Sequence, residues 1–178
     1  MKYLSMLAAI LLLFSCAPKE ETPAEERSIG FLTSIPDTKW HLGTEAAIDI
    51  VKAVDKLWAA KDYDGIRPYL SDTSKFYFED GRVADSPEAF INELKKETGW
   101  EFSWTFDYAY SVDLDPTQGG EHVQAGFTGT GTKDSVTLKR NYHESYYIIQ
   151  GKIVWWNQYS QKVRDEAASD AEEDEGDE

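Results

Sequence analysis

The sequence predicts an α+β fold: three N-terminal helices packed on a strongly curved antiparallel sheet. Three observations carry that reading. The stretch Trp100–Tyr110, WEFSWTFDYAY, sets a ring at every second position, namely Trp100, Phe102, Trp104, Phe106, Tyr108 and Tyr110. Strand side chains alternate faces, so a strand gathers all six rings on one side, whereas a helix would scatter them. Upstream, Ala47, Ile50, Val51, Val54, Leu57 and Trp58 recur at spacings of three and one, the stripe of an amphipathic helix. Beyond Gly99, four strand-like runs are separated by short links, which makes neighbours antiparallel.

The first helix spans Thr44 to Ala60, with Thr44 as N-cap and Glu45 in the first turn, where the helix dipole favours an acid. Asp49, Lys52, Asp55 and Lys56 form its polar side. Asp62-Tyr63-Asp64-Gly65 breaks it, and a short second helix turns Ile66, Tyr69 and Leu70 inward. Lys75–Glu79 reads as a strand, and Asp80-Gly81, a favoured two-residue hairpin pair, returns Arg82–Ala84 beside it. Ser86-Pro87-Glu88 opens the third helix with a capping hydroxyl, a first-turn proline and an acid. Phe90, Ile91 and Leu94 are its buried side, and Gly99 can end it. The sheet then runs through Trp100–Leu114, Glu121–Thr132, Ser135–Ile149 and Lys152–Lys162.

Both ends differ from this body. Residues 1–15 read as a targeting segment, with Lys2 followed by an apolar run from Met6 to Phe14 that is too short to span a bilayer. Leu13-Phe14-Ser15-Cys16 resembles the lipobox of bacterial lipoproteins, which makes Cys16 the lipidation point and anchors the chain to the cell envelope through palmitate-type acyl chains. The outer membrane is the expected location, and Lys19-Glu20-Glu21 resembles the export signal of surface lipoproteins in the Bacteroidetes. Cys16 is the only cysteine, so no intramolecular disulfide can form. Residues 16–35 form a Pro- and Glu-containing linker, 36–164 the folded domain, and 165–178 an acidic tail expected to be disordered by self-repulsion. The whole chain carries a formal charge of -15, yet the tail alone holds nine acids and no base. Between Pro36 and Arg164 the count is 15 basic against 20 acidic residues, which offers no positive surface for a nucleic-acid backbone.

Three passages carry a likeness to a known family. They are the helix running into LWAAKDYDGIRPYLSD (Leu57–Asp72), FYFEDGRVADSPEAFI (Phe76–Ile91) and the closing QGKIVWWNQYSQ (Gln150–Gln161). In order and spacing they resemble the NTF2-like superfamily and its SnoaL-like branch, and they frame nearly all of residues 36–164. The resemblance implies a cone-shaped half-barrel whose concave face, closed by helices, forms a pocket. Across that superfamily the pocket holds a small apolar ligand, performs acid/base chemistry, or is vestigial. Many members pair through the convex face of the sheet, so a homodimer is also implied. Such a fold says little about function by itself.

No catalytic motif of the ketosteroid isomerases, scytalone dehydratase or the SnoaL-type cyclases matches this chain residue by residue. Strand parity remains. From Ser135 to Ile149 the core-like face carries Val136, Leu138, Arg140, Tyr142, Glu144, Tyr146 and Ile148. Arg140 and Glu144 are therefore expected at a pocket rim or floor, or as an ordinary ion pair where the sheet meets solvent. Trp58, Trp104, Tyr108, Tyr142, Tyr146 and one of Trp155 or Trp156, with Trp156 preferred, complete the expected ligand-facing walls. Asp107 and His143 lie on the polar parity of their strands and form an alternative acid/base pair if that face is concave. His41, His122 and His143 fall in no paired metal-ligand spacing, and the glycines of GFTGTGT (Gly126–Thr132) lack the lysine and helix of a phosphate loop. Neither metal nor cofactor is expected, and those glycines are read as marking bulges or a tight bend. The sequence thus points to an envelope-anchored domain that binds a small apolar ligand with no assured catalysis. An isomerase-, dehydratase- or cyclase-type enzyme and a pure interaction scaffold stand as alternatives.

Overall fold

The computed structural model describes residues 28–35, 38–96 and 98–163. The targeting segment, Cys16, most of the linker and the acidic tail lie outside the described residues. A two-residue strand β1 (His41–Leu42) precedes helix α1 (Glu45–Ala59), whose cap is Thr44 accepting from the Ala47 amide. A single turn α2 (Tyr63–Ile66), capped by Asp62, passes into a 3₁₀ turn at Arg67–Tyr69. Strands β2 (Leu70–Tyr77) and β3 (Val83–Ala84) lead to α3 (Pro87–Leu94), capped by Ser86. The long strands β4 (Glu101–Asp113), β5 (Gly120–Lys133), β6 (Val136–Ile149) and β7 (Lys152–Lys162) follow. All seven strands form one sheet in the order β1-β4-β5-β6-β7-β2-β3.

Several local expectations need correction. The sheet is mixed, because β2 runs parallel to β7, with Phe76 opposite Trp156. These strands are far apart in sequence, so no tight turn forces them antiparallel. Helices and short strands alternate along the first half of the chain; the three helices do not form one uninterrupted block. Phe78 and Arg82 pair across a three-residue loop in which Gly81 has φ +84°, so Asp80-Gly81 is part of a longer hairpin. Helix α3 ends at Leu94 with Lys95 as cap, several residues before Gly99. The β5–β6 turn is Asp134-Ser135, one residue later than read from sequence; both residues have positive φ, as do Gln150 and Gly151 between β6 and β7. Positive φ at both positions matches the strand twist in two-residue hairpins.

The largest correction concerns the aromatic strand. Pairing between β4 and β5 shifts at Asp107: Phe106 opposes Phe127, but Tyr108 opposes Gly126. One extra residue flips every later side chain to the other face. Trp104 and Phe106 accordingly pack against the core, and beyond the bulge the inner face continues with Ala109 and buried Ser111. Tyr108 and Tyr110 turn outward, about half exposed, and stack on each other at 6.4 Å. Phe102 shares the inner parity but sits at the open end of the strand, 57% exposed.

The helices cover the inner face of the sheet. Ala47, Val51 and Val54 of α1 meet Val123, Ala125 and Phe127 of β5, Tyr146 and Ile148 of β6, and Ile153 and Trp156 of β7. Phe90 of α3 stacks on Phe76 at 3.9 Å, and Trp58 meets both Phe90 and Trp156 edge-on. A second register shift, between Tyr147 and Ile148 of β6, lets Ile153 and Trp156 of β7 both point inward. Trp155 therefore lies on the outer face, against His122 and Tyr147.

Candidate functional site

Between α1 and the open ends of β4–β7 the core does not close. A cavity of about 240 Å³ remains, walled by Trp58, Phe102, Trp104, Phe127, Tyr142, Tyr146 and Trp156. Its polar groups are few: Asp55 from α1, Glu79 from the β2–β3 loop, Ser103, Glu144 and Gln158. Gly129 also lines it, and a Cβ there would come within 2.9 Å of the Tyr142 ring. The glycine thus leaves room for Tyr142 to lie across β5. Gly126 does the same on the outer face, where the Tyr108 ring covers it. These glycines seat neighbouring rings, and the β4–β5 bulge falls beside the earlier of them in the chain, its extra residue Asp107 on β4 opposite Gly126 and Phe127.

Glu144 is the chemical centre of the cavity. It is 6% exposed and accepts the Tyr146 hydroxyl on Oε2 and the Gln158 side-chain amide on Oε1 at 2.8 Å. Strand geometry explains both partners: Tyr146 lies two residues along the same face, and Gln158 stands directly opposite on β7. Burial pushes the Glu144 carboxyl up to about 7, and the hydrogen bonds that favour its charged form offset only part of that cost. Burial, together with the adjacent carboxyl, drives the Tyr146 phenol well above its usual range, so it stays a donor. The Trp156 indole N–H lies beside Glu144 and helps to favour its charged form, without the geometry of a full hydrogen bond to any described residue. Asp55 accepts the Trp104 indole N–H at 2.7 Å, which ties α1 to β4 across the cavity.

The sequence-selected residues sort clearly. Trp58, Trp104, Tyr142, Glu144, Tyr146 and Trp156 line the cavity; Tyr108 does not, because the bulge turns it outward. Arg140 does not line it either and makes no pair with Glu144: it reaches Glu79 at 3.4 Å and the Ser160 hydroxyl at 2.7 Å, at the adjoining rim. Asp107 and His143 lie on the outer face, bonded separately to Thr128 and Gln124, and neither reaches the cavity. Asp55, Glu79, Phe127 and Gln158 went unnoticed in the sequence. Asp55 could have been found, since it stands four residues after Val51 and three before Trp58, on the border of the apolar stripe. Among the described residues no group of three or more His, Cys, Asp or Glu side chains could hold a metal ion. No helix among them is long and apolar enough to cross a membrane.

The sequence matches no protein-family model and no curated protein. Solved structures do match. An LEH-like epoxide hydrolase of M. tuberculosis superposes with a TM-score of 0.55 at 16% identity, over 66% of this chain and 84% of its own. An NTF2-like protein of Burkholderia xenovorans gives 0.51 at 13%, over 67% and 92%. A computationally designed 17-OHP binder gives 0.52 at 13%, over 66% and 98%. At such identities the likeness shows the fold: this chain has the NTF2-like fold, with an enzyme and a binder among its neighbours.

The raised Glu144 value has a consequence for stability. The folded state holds this proton more tightly than the unfolded chain, so the burial is free of charge cost at low pH. That cost grows as pH rises from 4.5 to about 7 and is complete above it. Against a Glu144→Gln variant, the wild-type protein should lose about 3 kcal/mol of unfolding free energy between roughly pH 4.5 and pH 8. Urea unfolding of both proteins across that range measures it. A difference that does not change with pH would mean the carboxyl is not buried in this way.

Proposed function

We propose that this chain is a lipid-anchored envelope protein whose NTF2-like domain, of the SnoaL-like branch, binds a small, largely apolar molecule between α1 and the sheet. The cavity itself carries the binding part of this reading. It combines aromatic walls, one buried hydrogen-bonded carboxyl and a buried Trp156 N–H that makes no hydrogen bond of full geometry among the described residues. Apolar lining supplies affinity, and a few placed polar groups orient the bound molecule. At about 240 Å³ the space is smaller than the roughly 300–1,000 Å³ of pockets for drug-sized ligands, which favours a compact molecule. The designed 17-OHP binder supports the use of this fold for binding. Native mass spectrometry of the protein purified from its own host should show a discrete small-molecule adduct that is lost on unfolding. A protein that emerges empty and takes up no small molecule from extracts of that host would refute the reading.

One observation favours a second reading, acid/base catalysis. Glu144 is held near neutrality, so both its protonated and ionised forms are populated where a proton must be taken and returned. The epoxide hydrolase among the structural neighbours supports the compatibility of the fold with an enzyme. Incubating the captured molecule with protein in deuterated water separates the two readings. Catalysis by Glu144 puts deuterium on carbon with the wild-type protein and at least about tenfold more slowly with Glu144→Gln. A captured molecule that gains no carbon-bound deuterium with the wild-type protein leaves binding as the function.

The anchor rests on the Leu13-Phe14-Ser15-Cys16 pattern, which lies outside the described residues. In a bacterial host, a palmitate analogue should label the wild-type protein in the membrane fraction and should not label Cys16→Ser. Equal labelling of both proteins would remove the anchor from the proposal.

A further inference from the structure

The charge of the cavity narrows the class of molecule it takes, on the premise that it is the binding site proposed above. Three carboxyl groups line it, those of Asp55, Glu79 and Glu144, and no lysine, arginine or histidine does. Glu79, at the mouth, faces Arg140 across 3.4 Å. Asp55 and Glu144 make no ion pair among the described residues; the side chains bonded to them there are neutral donors, from Trp104, Tyr146 and Gln158, with the Trp156 N–H beside Glu144. The six rings of Trp58, Trp104, Phe127, Tyr142, Tyr146 and Trp156 stand around these two carboxyls. Aromatic faces carry negative potential, and indole is the strongest of them toward a cation. A bound anion would meet like charge with no counter-ion to offset it. A neutral molecule would leave the Asp55 and Glu144 carboxyls without a counter-ion beside them.

We infer that the ligand is an organic cation, an amine or quaternary ammonium on a small apolar body, with Glu144 and Asp55 as its counter-ions and the tryptophans as its cage. The Trp156 N–H beside Glu144 makes no hydrogen bond of full geometry among the described residues, which leaves it able to turn to an atom of the bound molecule. It gives the bound molecule one donor, which an ether, hydroxyl or carbonyl oxygen near the cationic centre would accept.

Proton linkage makes binding of a cation pH-dependent. Glu144 is faced by Asp55 from α1, Glu79 from the β2–β3 loop, Tyr142 and Tyr146 on its own strand, and Trp156 and Gln158 from β7. None of these supplies positive charge, so a cation entering the cavity adds the positive charge that the hydrogen bonds from Tyr146 and Gln158 lack, and favours ionised Glu144 further. Its affinity should therefore rise as Glu144 loses its proton.

A matched pair of probes tests this. Choline carries a permanent charge, and neohexyl alcohol is its carbon isostere, of nearly the same shape and neutral. Titration calorimetry and saturation-transfer NMR on the full protein should give choline an affinity at least about tenfold higher than the alcohol. The choline affinity should climb several-fold from about pH 6 to about pH 8 in the wild-type protein and stay flat in Glu144→Gln. Asp55→Asn should weaken choline more than it weakens the alcohol, which tests the second counter-ion at a different residue. Equal or tighter binding of the alcohol overturns the cationic class while leaving the pocket standing. Binding of neither probe also overturns it, and native mass spectrometry then decides the pocket separately.

Discussion

Two single-residue shifts in strand pairing govern what meets inside this protein. The one at Asp107 is the more consequential. It sends Tyr108 and Tyr110 to the outer face and brings Ala109 and Ser111 inward. The Ser111 hydroxyl donates to Glu121, and Glu121 in turn accepts both the amide and the hydroxyl of Thr44, at the N-terminus of α1. Burial opposes ionisation of that carboxyl, but the three hydrogen bonds outweigh it and hold Glu121 below its usual value. A charged acceptor at a helix N-terminus also meets the helix dipole favourably. The bulge thus helps to seat α1, and the seat of α1 places Asp55 and Trp58 over the cavity. Without the shift, two large phenols would occupy the space now taken by an alanine and a serine.

The second shift, on the β6–β7 pair, has a parallel effect. It places Ile153 and Trp156 on one face although they are three residues apart, and so lets Trp156 meet Tyr146 and Trp58. Glycine does the complementary work on β5, where Gly129 allows the Tyr142 ring to lie across the strand. Together these features build a space bounded by large rings instead of filling it with them. Around it the core is tight: Phe76, Phe90, Ile66 and Leu70 are nearly inaccessible to solvent. The gap is confined to one end of the inner face.

Glu144 occupies that end at an energetic disadvantage. Two hydrogen bonds do not fully replace the water its carboxylate would have on the surface, and the raised proton affinity measures the shortfall. A glutamine could accept the Tyr146 hydroxyl without that penalty, so folding alone does not call for a carboxyl here. Perturbed carboxyls of this kind concentrate where a protein handles a ligand or a proton. The opposite face presents Asp107 and His143 as exposed side chains, each bonded to a neighbouring polar side chain.

Sequence by itself determined the elements and most of the inner parity. Local physics suffices for these: capping hydroxyls at Thr44 and Ser86, the α1 stripe, and the alternation on β6 that put Tyr142, Glu144, Tyr146 and Ile148 on one side. The alternation of six rings on β4 was equally visible and misleading, because no residue type announces a bulge at Asp107. A bulge depends on the register of the partner strand, which is a property of two distant segments. The same holds for the parallel β2–β7 pair, for the choice of Trp156 over Trp155, and for Arg140 turning to Glu79 instead of Glu144. Tertiary structure alone decided that Glu144 is buried and that Asp55 joins it from another element to line a cavity, since burial is set by what packs above a residue and not by its neighbours in the chain.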